Sequence, residues 1–410
     1  MKKNEVFVIG GGASGLIAAI AAARNQATVT IIEHNQKIAK KLLATGNGRC
    51  NYTNVHATSN NYNHPDFVKP AFDVFGPEKT IEFFESLGII PKTEDEGKTY
   101  PLSEQASSFY DVFAYEIQRL GINVILESSV VRLTKTKQGF LIISADGTKY
   151  EANKVIIATG GKALPKSGSD GSGYLLAESL NHTLTKIYPS LTKLKLNYPY
   201  LKQLDGVKIP GTVELIYHNE SLQKESGDVL FTSYGISGPT ILQLSRKAID
   251  LHLQHQEVFI KVQLVSQLTK AEVKKFLFND SNRPLEIALA GIINKKFIPV
   301  LMKEVKIEPL TLISDIPLKA MMKLIDFLYD WRFEVIGYKG FEDAQVTVGG
   351  IRTEEVNPLT MESKIHPGLF FCGEIIDVDA LCGGYNLQWA WASGFLAGQS
   401  ASGDIEHAKN

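Results

Sequence analysis

The pattern that most constrains this sequence is Gly10-x-Gly12-x-x-Gly15, set between segments of different periodicity. Residues 5–10 (EVFVIG) read as a short buried strand, residues 16–24 (LIAAIAAAR) as a helix of small apolar residues, and residues 28–33 (TVTIIE) as a second strand. Together they make a strand–loop–helix–strand unit of about 30 residues. In such a unit Gly10 permits the tight turn, Gly12 lets a pyrophosphate approach the backbone, and Gly15 lets the helix close on the sheet. The helix N-terminus turns unpaired N–H groups and a partial positive charge toward the phosphates. Glu33 ends the second strand, where a carboxylate accepts hydrogen bonds from ribose hydroxyls and repels a 2′-phosphate. A bare G-x-G-x-x-G is weak evidence, but this context predicts a dinucleotide site over a plain Gly-rich turn.

Two later segments choose between dinucleotides. Residues 155–161 (VIIATGG) run from a strand into a turn of small residues and resemble the second flavin fingerprint of glutathione reductase-like enzymes. Residues 368–374 (GLFFCGE), with Asp377 and Asp379, precede residues 383–388 (GGYNLQ). In such folds the strand-end glycine and acid contact the ribityl chain, and the next helix aims its N-terminus at the flavin pyrimidine edge. That edge is negative when reduced, and a helix dipole stabilises it. A dehydrogenase that uses only NAD has no need of this third element, so the set predicts FAD.

The run 40–54 (KKLLATGNGRCNYTN) is more particular. With the segments above and residues 231–239 (FTSYGISGP), it resembles the bacterial family of NAD(P)/FAD-dependent oxidoreductases called YhiN-like or BaiN-like. The resemblance spans nearly the whole chain and is best at its two ends. It implies an α/β fold with a Rossmann-like FAD-binding domain of glutathione reductase type, an inserted β-rich domain and a small helical domain. It also implies non-covalent FAD contacts at Gly10, Gly12, Ala13, Ser14, Gly15, Glu33, Lys41, Gly48, Arg49, Cys50, Thr159, Gly160, Gly373, Glu374, Asn386, Leu387 and Gln388. Val130 or Val131 would meet the adenine through backbone groups. Members resembling bile-acid enone reductases and others resembling aminoacetone oxidases leave the substrate open.

The texture of the chain agrees with three parts. At 410 residues it exceeds one typical core. Helical patterns appear at 77–87 and 107–120, and strand patterns at 123–126 and 139–145. From 190 to 264 short β-branched runs alternate with turns, as in an antiparallel sheet or small barrel. From 268 to 331 the pattern is helical, and strands return at 332–336 and 344–348. The last strand is 369–372, followed by a helix over 387–398 and a frayed polar tail from Ser400. The expected domains are therefore 1–190 with 342–410 for FAD, 191–266 with 331–341 for the β-rich insert, and 267–330 for the helices.

Composition narrows the function classes. The net charge of −1 and the absence of a basic stripe in sequence argue against a nucleic-acid partner. Three cysteines, none in C-x-x-C spacing, give no disulfide framework, thioredoxin motif or zinc ribbon, and fit a reducing cytoplasm. Lys2 and Lys3 before an apolar stretch mimic a signal peptide, but Glu5 and three consecutive glycines interrupt it. No segment offers the ~20 unbroken apolar residues of a membrane span.

Each singled-out residue has a bland reading. Cys50 lacks the second thiol of a disulfide reductase and reads as loop packing. Arg49 reads as a pyrophosphate or reduced-flavin partner, against a surface ion pair. Lys162 and Lys166 read as solvated loop charges and His366 as a turn histidine. Trp389 and Trp391 read as core anchors, and Tyr385 as a candidate substrate contact. No second Rossmann motif is present, so NADH or NADPH would visit the same flavin face as the small-molecule substrate. The expected function is a flavin-dependent oxidoreductase, either a nicotinamide-driven reductase of an activated double bond or ketone, or an amine oxidase passing electrons to O2. A non-catalytic FAD-binding or RNA-modification accessory is the reading from another class. The catalytic acid or base is not assignable from sequence, and no metal site is expected.

Overall fold

The computed structural model describes residues 4–403, which divide into two compact units. Lys2, Lys3 and residues 404–410 lie outside the described residues.

The first unit runs to Pro189 and resumes at Gln345. Its centre is a five-stranded parallel sheet in the order Leu369–Phe371, Lys154–Ile157, β1 (Glu5–Ile9), β2 (Thr28–Ile32) and Asn123–Ile125. β1 sits in the middle, with Ile9 opposite both Ile157 and Ile32. Val6, Val8, Val155, Ile156 and Phe370 are wholly buried, as expected for parallel strands covered on both faces. Helix α1 (Ala13–Arg24) follows β1 and is buried from Ser14 to Ala22. Its small residues let the final helix, Tyr385–Ser402, approach backbone to backbone. A Cβ on Gly394 would lie 2.4 Å from the Ser14 carbonyl, and one on Gly398 2.2 Å from that of Ala18. Trp389 and Trp391 of the final helix are buried, and the Trp391 indole N–H donates to the Tyr52 carbonyl at 2.8 Å. This helix begins two residues earlier than the sequence predicts, and Ser400 to Ser402 stay helical rather than frayed.

The second unit, Ser190–Ala344, is built on a closed six-stranded antiparallel barrel. Going round, its strands are Leu194–Asn197, Gly235–Ser237, Glu220–Thr232, Lys208–Tyr217, Phe259–Gln263 and Trp331–Tyr338. The last strand pairs back with the first. Closure leaves no free edge, and Phe231, Trp331 and Phe333 fill the inside with Phe297. The helices Lys270–Phe278, Leu285–Leu289, Ile298–Val305 and Leu318–Tyr329 lie between the fifth and sixth strands in sequence. Two helices inside the β-rich segment, the short Leu201–Leu204 and the longer Pro239–Leu253, are missing from the sequence reading.

One buried polar network in the first unit yields a prediction. His182 is 2% exposed, with Nδ1 3.1 Å from a Glu355 carboxylate oxygen and Nε2 2.9 Å from the Ser363 hydroxyl. The order resembles a serine-hydrolase triad, yet Ser363 is only 5% exposed and its oxygen also accepts the Ile365 and His366 amides. It is a structural knot. Burial pushes the His182 pKa below its ordinary 6.5, despite the nearby Glu355. The folded state therefore resists protonation where the unfolded chain accepts it. This contribution is complete above pH ~6.5 and is lost as pH falls from there toward the depressed folded value. His182→Gln is expected to flatten the decline of the urea midpoint between neutral and mildly acidic pH. Parallel pH profiles for the variant and wild type would remove His182 as the cause.

Candidate functional site

The glycine loop, residues 10–12, connects β1 to the N-terminus of α1. Gly10 has φ +107°, and a Cβ there would lie 2.5 Å from the Ala158 carbonyl. Thus β1 turns directly beneath the 155–161 segment, whose Ala158 amide donates to Ile9 at 2.8 Å. At Gly12, the N-cap of α1, a Cβ would meet nothing within 4 Å. Ala13 is half-buried and Ser14 is buried, its hydroxyl donating to the Cys372 carbonyl at 3.3 Å. Gly15 faces inward against Gly10.

The other proposed residues gather around this loop through identifiable bonds. Glu33 accepts the Gly11 amide at 2.7 Å, and the Asn35 amide and side-chain N–H at 2.8 and 2.7 Å. Its charge thus braces the glycine loop from below. Lys41 is ion-paired to Glu374 at 2.6 Å, tying the 40–54 run to the C-terminal strand end. The other Glu374 oxygen accepts the Thr347 amide at 2.7 Å. Gly373 has φ +78° against the Ser14 hydroxyl, and its amide donates to Ser393 at 2.9 Å. Thr159 and Gly160 form the turn after the returning strand, and the Thr159 hydroxyl is buried without a hydrogen-bond partner. Val130 and Val131 open the strand Val130–Thr136, reached from β2 through the Ser128 amide, which donates to the Glu33 carbonyl at 3.0 Å. Val131 is exposed and Val130 half-buried.

Four of these residues have their side chains engaged within the protein. Gly48 has φ +83° with open space where its side chain would be, but the neighbouring Arg49 points elsewhere. Its guanidinium stacks 4.0 Å over the Tyr100 ring, pairs with Glu94, and lies 3.3 Å from Glu104. This is the ion-pair arrangement, with the charge already compensated. Cys50 is wholly buried, and burial pushes its thiol up to about 12, so only its backbone can face a ligand. Gln388 is fully buried, its carbonyl accepting the Thr53 hydroxyl at 2.6 Å and its N–H2 donating to Phe75 at 3.0 Å. Asn386 ties down the 380–381 loop through the Ala380 amide and the Ala380 and Leu381 carbonyls, and Leu387 is half-buried.

The start of the final helix collects groups that no motif announces. Asn54 is buried and donates to the carbonyls of both Glu96 and Gly383, at 3.0 and 3.1 Å. A Cβ on Gly384 would lie 2.9 Å from the Asn51 side-chain oxygen, a buried acceptor without a hydrogen-bond partner. Lys98, held by Glu96 at 2.6 Å, acts electrostatically on Cys382 and Tyr385. Burial raises the pKa of both groups and the ammonium opposes it, so both remain protonated at neutral pH. Asn51 and Asn54 belong to the distinctive 40–54 run and Tyr385 to the 383–388 segment, whereas Lys98 and Glu96 carry no sequence signal.

The residues present fit a flavin dinucleotide. The open space at Gly12 lies at a helix N-terminus, the acid at the end of β2 braces the loop, and a glycine–acid turn precedes a second helix N-terminus. This constellation on a parallel Rossmann sheet is that of an FAD-dependent oxidoreductase. The chain belongs to the HI0933-like Rossmann family, whose profile matches residues 4–400. It is 39% identical over 409 residues to a 3-dehydro-bile acid Δ(4,6)-reductase of Clostridium scindens, covering 97% of this chain and 99% of the relative. It is 30% identical over 413 residues to a ribosomal RNA dihydrouridine synthase of Escherichia coli, covering 97% and 98%. Among solved structures, the open conformation of a flavocytochrome c3 fumarate reductase is similar with a TM-score of 0.49 at 16% identity, covering 97% of this chain and 78% of that one. No helix among the described residues is long and apolar enough to cross a membrane.

Proposed function

We propose that this protein saturates a carbon–carbon double bond conjugated to a carbonyl, with FAD held non-covalently and reduced by NADH or NADPH. The observation that carries the reading is chemical. The names of two relatives that align over nearly all of this chain describe one reaction type on unlike substrates. A Δ4,6 bond of a 3-oxo steroid and the ring double bond of uracil are both conjugated to a carbonyl. When bound, the isoalloxazine ring supplies the hydride chemistry.

The chain's own residues do the rest. The α1 N-terminus and Gly12 would take the pyrophosphate, and Glu33 would hold the adenosine ribose. Lys41 and Glu374 hold the chain turn at the ribityl end, and the amide ends of the final helix stabilise negative charge at the pyrimidine edge. Saturation adds a hydride at one carbon and a proton at its neighbour. Tyr385 and Cys382, both protonated at the start of that helix, are the side chains proposed to supply the proton.

Two substrate classes stand within this reaction. The first is a free small molecule such as a conjugated ketone. The second is uridine in ribosomal RNA, favoured by relatives of that name from Escherichia coli and Haemophilus influenzae, 30% and 29% identical to this chain. Three cysteines without C-x-x-C spacing support action in a reducing cytoplasm.

The test is anaerobic. NADH or NADPH is expected to bleach the visible flavin band, and a conjugated enone or a uridine-containing RNA to restore it without air. Bleaching by aminoacetone alone, with peroxide on admitting air, would replace this reading with an amine oxidase. No bleaching by any of the three would overturn both.

A further inference from the structure

The second unit carries a lysine-rich face. Lys202 lies on the short helix Leu201–Leu204, and Lys296 on the turn Lys295–Phe297. Lys303 lies on Ile298–Val305 with Lys306 as its C-cap, and Lys319 and Lys323 lie on Leu318–Tyr329. All six are exposed. Hydrogen bonds join these elements into one surface. The Lys296 ammonium donates to the Asp205 carbonyl at 3.1 Å, Lys303 to the Gln203 side-chain oxygen at 3.2 Å, and Lys323 to the Glu304 carbonyl at 3.3 Å. Every one of these acceptors is neutral.

Two carboxylates on the same elements keep their charge, because their donors are neutral. Asp205 accepts the Ser233 amide and Glu304 the Tyr198 hydroxyl, both at 2.9 Å. Four lysines of the unit, Lys193, Lys208, Lys261 and Lys270, pair with acids, and the six are among those that do not among the described residues. Aromatic rings lie beneath two of the ammoniums, Tyr200 at 5.3 Å from Lys303 and Phe327 at 5.5 Å from Lys323. A helix dipole accounts for Lys303 and Lys306 at a C-terminus, but not for Lys319 in a first turn, where a cation is unfavourable. Six ammoniums outnumber the carboxylates of Asp205, Glu304 and Glu308 on the same stretches of chain, and the excess positive charge favours a polyanion.

We propose that this lysine face docks the phosphodiester backbone of RNA. The inference rests on the second substrate reading, uridine in ribosomal RNA, and names the surface that would hold such a substrate. Phosphate contacts of this kind give affinity without sequence preference, and strong salt dependence.

The experiment measures anisotropy of a fluorescein-labelled, uridine-containing RNA hairpin against holoenzyme over a range of salt. The variant combines Lys202→Glu, Lys303→Glu and Lys323→Glu. A control of equal charge change combines Lys69→Glu, Lys79→Glu and Lys137→Glu in the first unit. The face variant is expected to lose about 30-fold or more in affinity and to flatten the log–log salt slope by about two to three, since each phosphate contact contributes about −0.7 to −0.9. The control should lose less than about threefold, and all three proteins should keep full flavin content and NAD(P)H bleaching. Wild-type affinity in the face variant, or an equal loss in the control, would overturn the proposal. So would binding to phosphatidylglycerol vesicles without binding to the hairpin. Dihydrouridine formation on the same RNA is scored separately. Lysine-dependent binding without it supports the docking face and sinks only the substrate reading, whereas dihydrouridine formation with binding that ignores the lysines does the reverse.

Discussion

Gly12→Val is expected to yield a folded but colourless protein. The residue has φ −83° and ψ −172°, extended backbone open to any L-residue, and no protein atom lies within 4 Å of where its Cβ would stand. The substitution therefore strains nothing in the chain itself. What it obstructs is the approach to the α1 amides, where a pyrophosphate must come within hydrogen-bond distance. Flavin content after purification should fall to about a tenth of wild type or less, a loss of at least about 1.4 kcal/mol in binding. Flavin binding itself stabilises the fold, so the fair comparison is with flavin-stripped wild type. Against that reference the circular dichroism and thermal midpoint should match, and excess FAD should raise the variant's midpoint less. Full flavin occupancy in Gly12→Val would place the cofactor away from this loop.

The part of the fold legible in sequence is the part whose constraints are local. The β1–α1–β2 unit shows because strand, glycine spacing and helix occur within one short stretch and each glycine answers one local demand. The barrel shows through its β-branched runs and turns. Its helix Pro239–Leu253 does not, although Gly238-Pro239 is a fair start signal and Ile241, Leu244 and Ala248 recur at helical spacing. Strand texture on both sides masked that periodicity. Motif position leaves the direction of a side chain open for a related reason. Position places Gln388 at the start of a helix but not on which side of it, and the side chain turns inward to Thr53 and Phe75. Arg49 is similar, because the carboxylates that claim it arrive on a hairpin some 50 residues on. The His182–Glu355–Ser363 knot and the lysine face are less legible still. Each joins residues far apart in the chain, so neither periodicity nor a charge run marks them. A sequence without a basic stripe can therefore bring lysines from separate segments onto one surface.

Gly15→Val should have the opposite outcome to Gly12→Val, although the two glycines share one motif. A Cβ on Gly15 would sit 2.0 Å from the Gly10 carbonyl oxygen and 3.1 Å from the Ala158 Cβ. The closer atom is backbone, in a turn already held at φ +107° by its own packing under the 155–161 segment. It cannot swing aside as a long side chain would. Relief would require α1 to lift from the sheet, and the other side of that helix is closed as well. There Gly394 and Gly398 of the final helix lie against the Ser14 and Ala18 carbonyls with no space for even a methyl group. With both faces fixed, the expected cost is about 4 kcal/mol or more, at the upper end for overpacking. The variant should be largely insoluble or melt far below flavin-stripped wild type. Excess FAD should not rescue it, because the damage precedes binding. Gly15→Ala should show a milder form of the same defect. A Gly15→Val protein that folds with a wild-type midpoint would mean that α1 does not close on β1 at this position, and the backbone geometry presented to the pyrophosphate would have to be redrawn.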